Sequence, residues 1–204
     1  MAIKKLLNGK KFVLGSSSPR RAELLRKAGI NFEVIVPENI NEEQISADPV
    51  SHVLELSRKK AENVAKKVND SLILGADTVV VLNGEILGKP KDGEDAFKML
   101  KKLSGKEHLV YTGISLVDKD KERILSGYQL TKVKFNQLKD KEIKDYIDTG
   151  EPLDKAGAYG IQGMGNFLVE KIEGDMDNVI GLPLRKLEEL LKKNQKLSEG
   201  NWKI

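Results

Sequence analysis

Cysteine is absent from this sequence, which excludes disulfides, a thiolate nucleophile and cysteine-type zinc sites together. Histidine is nearly as scarce: His52 and His108 are the only two, too few to suggest a histidine zinc centre or a catalytic triad. Aromatic residues make up 5% of the chain and are not interleaved with a basic stripe, so there is little basis for a nucleic-acid platform. No apolar run approaches the length of a bilayer span, and the opening MAIKKLLNGKKFVLG meets charged residues before any apolar core of signal-peptide size forms. The expected location is therefore the cytoplasm, with neither a membrane nor nucleic acid as partner. There is no Gly-Lys-Ser/Thr P-loop, and Gly163-x-Gly165 lacks the preceding strand and following helix of a dinucleotide fingerprint.

What is present describes a globular chain. Its 204 residues are 39% hydrophobic and 32% charged, enough for one generous domain or two small ones with most apolar surface buried. Much of the net charge of +4 sits in lysine-rich helical stretches, Arg58-Lys59-Lys60 and Lys192-Lys193, which read as solvated faces. Apolar periodicity and punctuation predict strands at 11–15, 32–36 and 71–82, and helices at 19–28 and from Asp48-Pro49 to Val68. Asn83-Gly84 is a hairpin turn. Asp92 caps a helix ending near Leu103, and a long hairpin pairs 108–117 with 122–135. A helix at 140–148, a strand at 166–172 and a helix from Gly181-Leu182-Pro183-Leu184 to Lys193 complete the pattern, followed by a polar, frayed stretch from Asn194 to Ile204. Strands and helices alternate irregularly around that hairpin. The expected fold is thus α/β with α+β character, a mixed, twisted central sheet with a long antiparallel hairpin, flanked by helices, and not a doubly wound parallel sheet.

Several segments carry possible chemistry. Val13-Leu14-Gly15-Ser16-Ser17-Ser18-Pro19-Arg20-Arg21 runs from a buried strand through a tight polar loop into a helix. Ser18 is placed as an N-cap, Pro19 sits where a missing N–H costs nothing, and Gly29 closes the far end. Two arginines in a first turn oppose the helix dipole, so an anion such as phosphate is expected to compensate them. Asp77 lies inside an otherwise apolar strand, where an unpaired carboxylate is costly; a metal, a lysine or a polar network must answer it. Lys89, in Gly88-Lys89-Pro90, ends the return strand of the hairpin and can reach back toward that carboxylate. Glu42, Glu43 and Lys60 are unremarkable in isolation. The stretch from Gly157 to Gly165 holds four glycines in nine residues; it reads either as a flexible surface turn or as a loop whose backbone approaches a ligand, with Gln162 offering donor and acceptor to a base edge.

Taken together, Ser16-Ser17-Ser18-Pro19-Arg20-Arg21, Gly75-Ala76-Asp77-Thr78, Gly88-Lys89-Pro90, Lys155-Ala156-Gly157-Ala158-Tyr159-Gly160-Ile161-Gln162-Gly163 and Gly181-Leu182-Pro183 strongly resemble the Maf family of nucleoside triphosphate pyrophosphatases, over about residues 11–191. The resemblance implies a Maf/ITPase-like fold, with one catalytic domain over 1–193 built as two lobes around a cleft and a polar tail over 194–204. It also implies a house-cleaning hydrolase that uses a divalent cation, Mg²⁺ or Mn²⁺, on a nucleoside triphosphate substrate, and a homodimer. By the same resemblance Asp77 is the base that activates water or a metal ligand beside it, and Glu42, or Glu43 if the loop slips by one residue, helps hold the metal. Arg21, Lys60 and Lys89 bind phosphates together with the Ser16 and Ser18 loop, while Arg20, Thr78 and Gln162 set nucleotide preference. Arg-Arg, Ala-Asp-Thr and Ile-Gln-Gly resemble the dTTP/UTP class. The 7-methyl-GTP class tends instead toward Trp-Arg, Ser-Asp-Gln and Ser-Glu-Gly. The alternatives are a pyrophosphatase for modified purine nucleotides such as 7-methyl-GTP, and a non-catalytic nucleotide-binding regulator of septum formation.

Overall fold

A computed structural model describes residues 2–42 and 46–198. The elements are α1 (Ala2–Leu6), β1 (Lys11–Gly15), α2 (Pro19–Lys27), β2 (Glu33–Val34), α3 (Pro49–Ala65), β3 (Ser71–Leu82), β4 (Glu85–Leu87), α4 (Gly93–Leu103), β5 (Glu107–Asp118), β6 (Arg123–Phe135), α5 (Asp140–Asp148), β7 (Val169–Glu173), α6 (Met176–Ile180) and α7 (Leu184–Ser198). Strand order is β2-β1-β3-β5-β6-β7, with β4 paired to β3. β1 runs parallel to β2 and β3, whereas β4 is antiparallel to β3 and β7 to β6. The sheet is mixed, in line with the irregular alternation of the sequence. The chain forms two compact units, one of Met1–Asp77, Thr112–Gln129 and Gly181–Ile204, the other of Thr78–Tyr111 and Leu130–Ile180.

In the first unit, two glycines set how closely α3 lies on the strands. A Cβ on Gly75 of β3 would stand 2.2 Å from the Ser57 carbonyl oxygen and 2.7 Å from the Ala61 nitrogen, and one on Gly113 of β5 would stand 2.4 Å from the Val53 carbonyl oxygen. No side chain fits there, so the helix backbone rests on the strands. Asp48 caps α3 by accepting from the Ser51 N–H at 2.8 Å, as Asp-Pro at its start predicts. Behind that cap Ala61, Val64 and Ala65 cluster with Val13, Ile73 and Val117, each fully buried valine or isoleucine contributing about 1.5–3 kcal/mol.

Two expectations for this unit change. β2 spans only Glu33–Val34, shorter than the predicted 32–36. α7 continues to Ser198, past the predicted end at Lys193. Asn194 is buried there and donates to Asp118 Oδ2 at 2.8 Å, while Lys10 meets Asp118 Oδ1 at 2.6 Å. These partners are remote in sequence, so local polarity misreads the segment. Residues 199–204 of the expected tail lie outside the described residues.

In the second unit, Asn83 and Gly84, both at positive φ, make the predicted two-residue turn between β3 and β4. Asp92 caps α4 by accepting from the Asp95 N–H at 2.8 Å. The strand expected from Asn166 begins only at Val169, because Gly163–Leu168 forms a 3₁₀ segment. Asn136 draws the end of that segment in, its Nδ2 donating to the Phe167 carbonyl at 2.8 Å and its backbone N–H to the Leu168 carbonyl at 2.9 Å. The core here includes three mutually edge-on rings, His108, Phe135 and Tyr159, with centroids 4.7–5.4 Å apart.

Gly75→Ala should destabilise the protein by about 1–3 kcal/mol through overpacking against α3, read as a lower urea midpoint; an unchanged midpoint would refute the close approach. A second prediction concerns His108, whose Nε2 lies 2.7 Å from the Tyr159 hydroxyl and whose Nδ1 has no hydrogen-bond partner. Burial pushes His108 down from its ordinary 6.5 to about 4, so the unfolded chain takes up this proton more readily than the folded one. The resulting stabilisation is complete above pH 6.5 and is lost as pH falls toward 4, roughly 3 kcal/mol in all. The stability difference between wild type and His108→Gln should shrink accordingly on acidification; parallel pH curves would disprove the assignment.

Candidate active site

The first unit draws together Lys60, Asp77 and Glu42. Asp77 is 7% exposed and Lys60 6%. The Lys60 ammonium donates to Asp77 Oδ1 at 2.8 Å and also pairs with Glu42 Oε1 at 2.7 Å. A single cation therefore bridges a buried carboxylate and a more exposed one. The residues beside Lys60 behave differently: Arg58 turns outward to Glu62 and Lys59 to Glu55, each at 2.8 Å. Arg58-Lys59-Lys60 is thus not one solvated face, because Lys60 points to the interior. Glu43 lies outside the described residues, whereas Glu42 is placed on the ammonium.

The loop before α2 is organised by Ser16. Ser18 holds the extended conformation of an N-cap but makes no side-chain capping bond, which corrects the expected role of its hydroxyl. Ser16 Oγ instead accepts from the Ser18 N–H at 3.2 Å and from Arg21 Nη1 at 3.1 Å. Arg21 also donates from Nε to the Gly181 carbonyl at 2.8 Å and from Nη1 to the Ala76 carbonyl at 3.0 Å. Desolvation pulls its guanidinium below the ordinary arginine value; Asp77 opposes that shift, Arg20 adds to it and Glu42 opposes it. It remains a cation at any ordinary pH. Arg20 is half-buried on the same turn.

His52, a residue the sequence reading set aside, is 4% exposed, and its Nε2 lies 4.0 Å from Asp77 Oδ2. The signal for it was its spacing of eight from Lys60, which puts both on one helix face. The capture of Arg21 by the Gly181 carbonyl had no local signal at all.

The second unit holds Thr78, Lys89 and Gln162. Thr78 and Gln162 are half-buried and Lys89 is exposed, just past β4. The glycine-rich loop is closely packed on its own unit. The Gly157 N–H donates to the Gly88 carbonyl at 2.9 Å, and a Cβ on Gly157 would stand 2.8 Å from Val80 Cγ2. A free surface turn is the wrong description.

Among the described residues no group of three or more histidine or acidic side chains gathers as a metal site, and no helix is long and apolar enough to cross a membrane. The donor set nonetheless suits a hard divalent cation. Mg²⁺-type ions take one or two carboxylates and complete their shell with phosphate and water, and Asp77 and Glu42 already converge on one positive charge.

Residues 11–194 match the model of the family described as Maf-like protein. A Carboxydothermus hydrogenoformans protein named dTTP/UTP pyrophosphatase is 54% identical over 177 residues, covering 87% of this chain and 95% of that protein. Proteins of the same name from Thermoanaerobacter sp. strain X514 and Clostridium tetani are 51% and 50% identical, covering 90% and 89% of this chain and 96% of each relative. Among solved structures, the Staphylococcus aureus Ham1 protein superposes with a TM-score of 0.52 at 16% identity, over 91% of this chain and all of that one, a likeness of fold.

Lys60→Met strands a buried carboxylate and should lower stability by about 3 kcal/mol or more. Adding Asp77→Asn should recover part of the loss, as a double-mutant cycle in urea would show; strictly additive losses would contradict the buried pair.

Proposed function

The chain belongs to the Maf family, and we propose that it hydrolyses dTTP and UTP to the nucleoside monophosphate and pyrophosphate. The observation that carries this reading is the buried Asp77 carboxylate, tied through Lys60 to Glu42 and placed on the same unit as the Ser16 to Arg21 loop. Relatives at about half identity, matched along nearly their whole length, bear the name dTTP/UTP pyrophosphatase. The set Arg20, Thr78 and Gln162 supports pyrimidine choice, since a glutamine amide can pair with the adjacent carbonyl and N–H of uracil or thymine.

In the proposed reaction water attacks the α-phosphorus in line, and the bond to the bridging oxygen of the β-phosphate breaks as pyrophosphate departs. Asp77 accepts the proton of the attacking water. Lys60 holds that carboxylate in place. The loop Ser16 to Ser18, with Arg20 and Arg21, receives phosphate oxygens at the start of α2, and Lys89 adds a cation for the departing pyrophosphate. Arg21 also props this loop through Ser16 and the Ala76 carbonyl. A divalent metal held by Asp77 and Glu42 would polarise the phosphate oxygens and lower the charge of the substrate. The proposed assembly is a homodimer, on the family resemblance alone.

Asp77→Asn should reduce pyrophosphate release on the order of a thousandfold, measured per folded protein, since the urea midpoint also falls when Lys60 is left with Glu42 alone. The measurement is a panel of dTTP, UTP, CTP, ATP, GTP and 7-methyl-GTP, with and without Mg²⁺. Wild-type turnover by the variant would sink the role of Asp77, and preference for a purine would sink the pyrimidine reading.

A further inference from the structure

The loop that carries Gln162 is held on both sides by one connected pair of side chains. The Gly160 N–H donates to the Tyr146 hydroxyl at 3.1 Å, and the Met164 N–H donates to Glu151 Oε2 at 3.1 Å. Tyr146 in turn donates its hydroxyl proton to Glu151 Oε1 at 3.1 Å. Gln162 is the middle residue of the span between the two anchors. Packing tightens the same arrangement: a Cβ on Gly165 would stand 2.7 Å from the Tyr146 hydroxyl oxygen, and one on Gly163 would stand 3.1 Å from Glu151 Oε2. The Tyr146 ring is buried and meets Phe167 edge-on. Lys155, 8% exposed, ties down the segment that bears the carboxylate by donating to the Glu151 carbonyl and pairing with Asp154 at 2.7 Å. The proposed hydrolysis uses neither Tyr146 nor Glu151.

We infer that Tyr146 and Glu151 are positioning residues for base selection, holding the backbone on both sides of Gln162 so that its amide meets the base from one direction. This rests on the reading of Gln162 as the residue that reads the base. A glutamine amide is two-faced. In one orientation its NH₂ donates to a uracil carbonyl while its oxygen accepts the N3 proton; turned over, it accepts from the cytosine amine and donates to cytosine N3. A glutamine on a loose backbone can adjust to either edge, whereas a backbone pinned two residues away on each side restricts the approach.

The test compares kcat and KM for UTP and CTP in wild type and in Tyr146→Phe, Glu151→Ala, Glu151→Gln and Gln162→Ala, with a urea midpoint for each. Tyr146→Phe keeps the ring against Phe167 and removes only the oxygen that joins Gly160 to Glu151. In Tyr146→Phe and Glu151→Ala the ratio of kcat/KM for UTP over CTP should fall about five- to tenfold, the scale of one lost hydrogen bond. The fall should come from a higher KM for UTP at little-changed kcat. Glu151→Gln should keep most of the ratio, since its amide oxygen can still accept from the Met164 N–H while its NH₂ donates to the Tyr146 oxygen. If Gln162→Ala collapses the ratio and Tyr146→Phe and Glu151→Ala do not, the clamp is refuted and the reading of Gln162 stands. If Gln162→Ala leaves the ratio unchanged, the base reading itself has failed and takes the clamp with it. Equal losses for both nucleotides, with a lowered urea midpoint, would reduce the pair to a structural role and overturn the inference.

Discussion

The chemistry of the first unit depends on how closely the backbone of α3 approaches β3. Gly75 permits that approach, with the Ser57 carbonyl and the Ala61 nitrogen where a side chain would otherwise stand. Alternate residues of a strand share a face, so Asp77, two positions after Gly75, also faces the helix. Lys60 is the neighbour of Ala61 and arrives opposite that carboxylate. The ion pair is therefore a consequence of the glycine. Burying both ions costs several kcal/mol each unless the geometry is good, and contacts of 2.8 and 2.7 Å to Asp77 and Glu42 supply that geometry.

Arg21 shows how a local conflict is settled by tertiary structure. A cation in the first turn of a helix opposes the dipole. The guanidinium turns back into the protein and joins three places in the chain: the polar loop at Ser16, the strand at Ala76 and the segment before α7 at Gly181. Ala76 precedes Asp77, so the same guanidinium that shapes the loop also holds the backbone that presents the carboxylate. A residue expected to meet phosphate thus has a second task, to keep loop and carboxylate in fixed relation.

What could be read in the sequence divides along the same line. The strand over 71–82, the Asn-Gly turn, the Asp48 and Asp92 caps and the long β5–β6 segments depend on neighbours within a few residues, and periodicity and turn chemistry report such neighbours well. The anomaly of Asp77 was also legible, because a carboxylate in an apolar run needs a partner wherever it lies. The identity of that partner was not legible: the hairpin pointed to Lys89 and the family resemblance gave Lys60 to phosphates, whereas the carboxylate meets Lys60. From the residues alone Lys60 looked like one of three surface cations, since nothing local distinguishes the inward face of a helix whose outward face is equally basic. Ser18 carried the capping signature, yet Ser16 does the organising because Arg21 reaches it. The extension of α7 and the late start of β7 depend on Asp118 and Asn136, far away in sequence, and no window of the chain contains both partners.

The internal pairing also bears on why the proposed reaction calls for a divalent ion. Lys60 is shared between two carboxylates, and Arg21 is engaged by two backbone carbonyls and a hydroxyl. Both cations carry structural contacts, so the phosphate contact proposed for Arg21 has to leave its bonds to Ser16, Ala76 and Gly181 in place. The charge of the substrate is better met by a cation that arrives with it. Asp77 and Glu42 would hold such a cation on the proposed reading, and the same two carboxylates would then serve the fold through Lys60 and the substrate through a metal. On the proposed reading Lys60 is a positioning residue that holds the two carboxylates together, so its loss should cost turnover as well as stability.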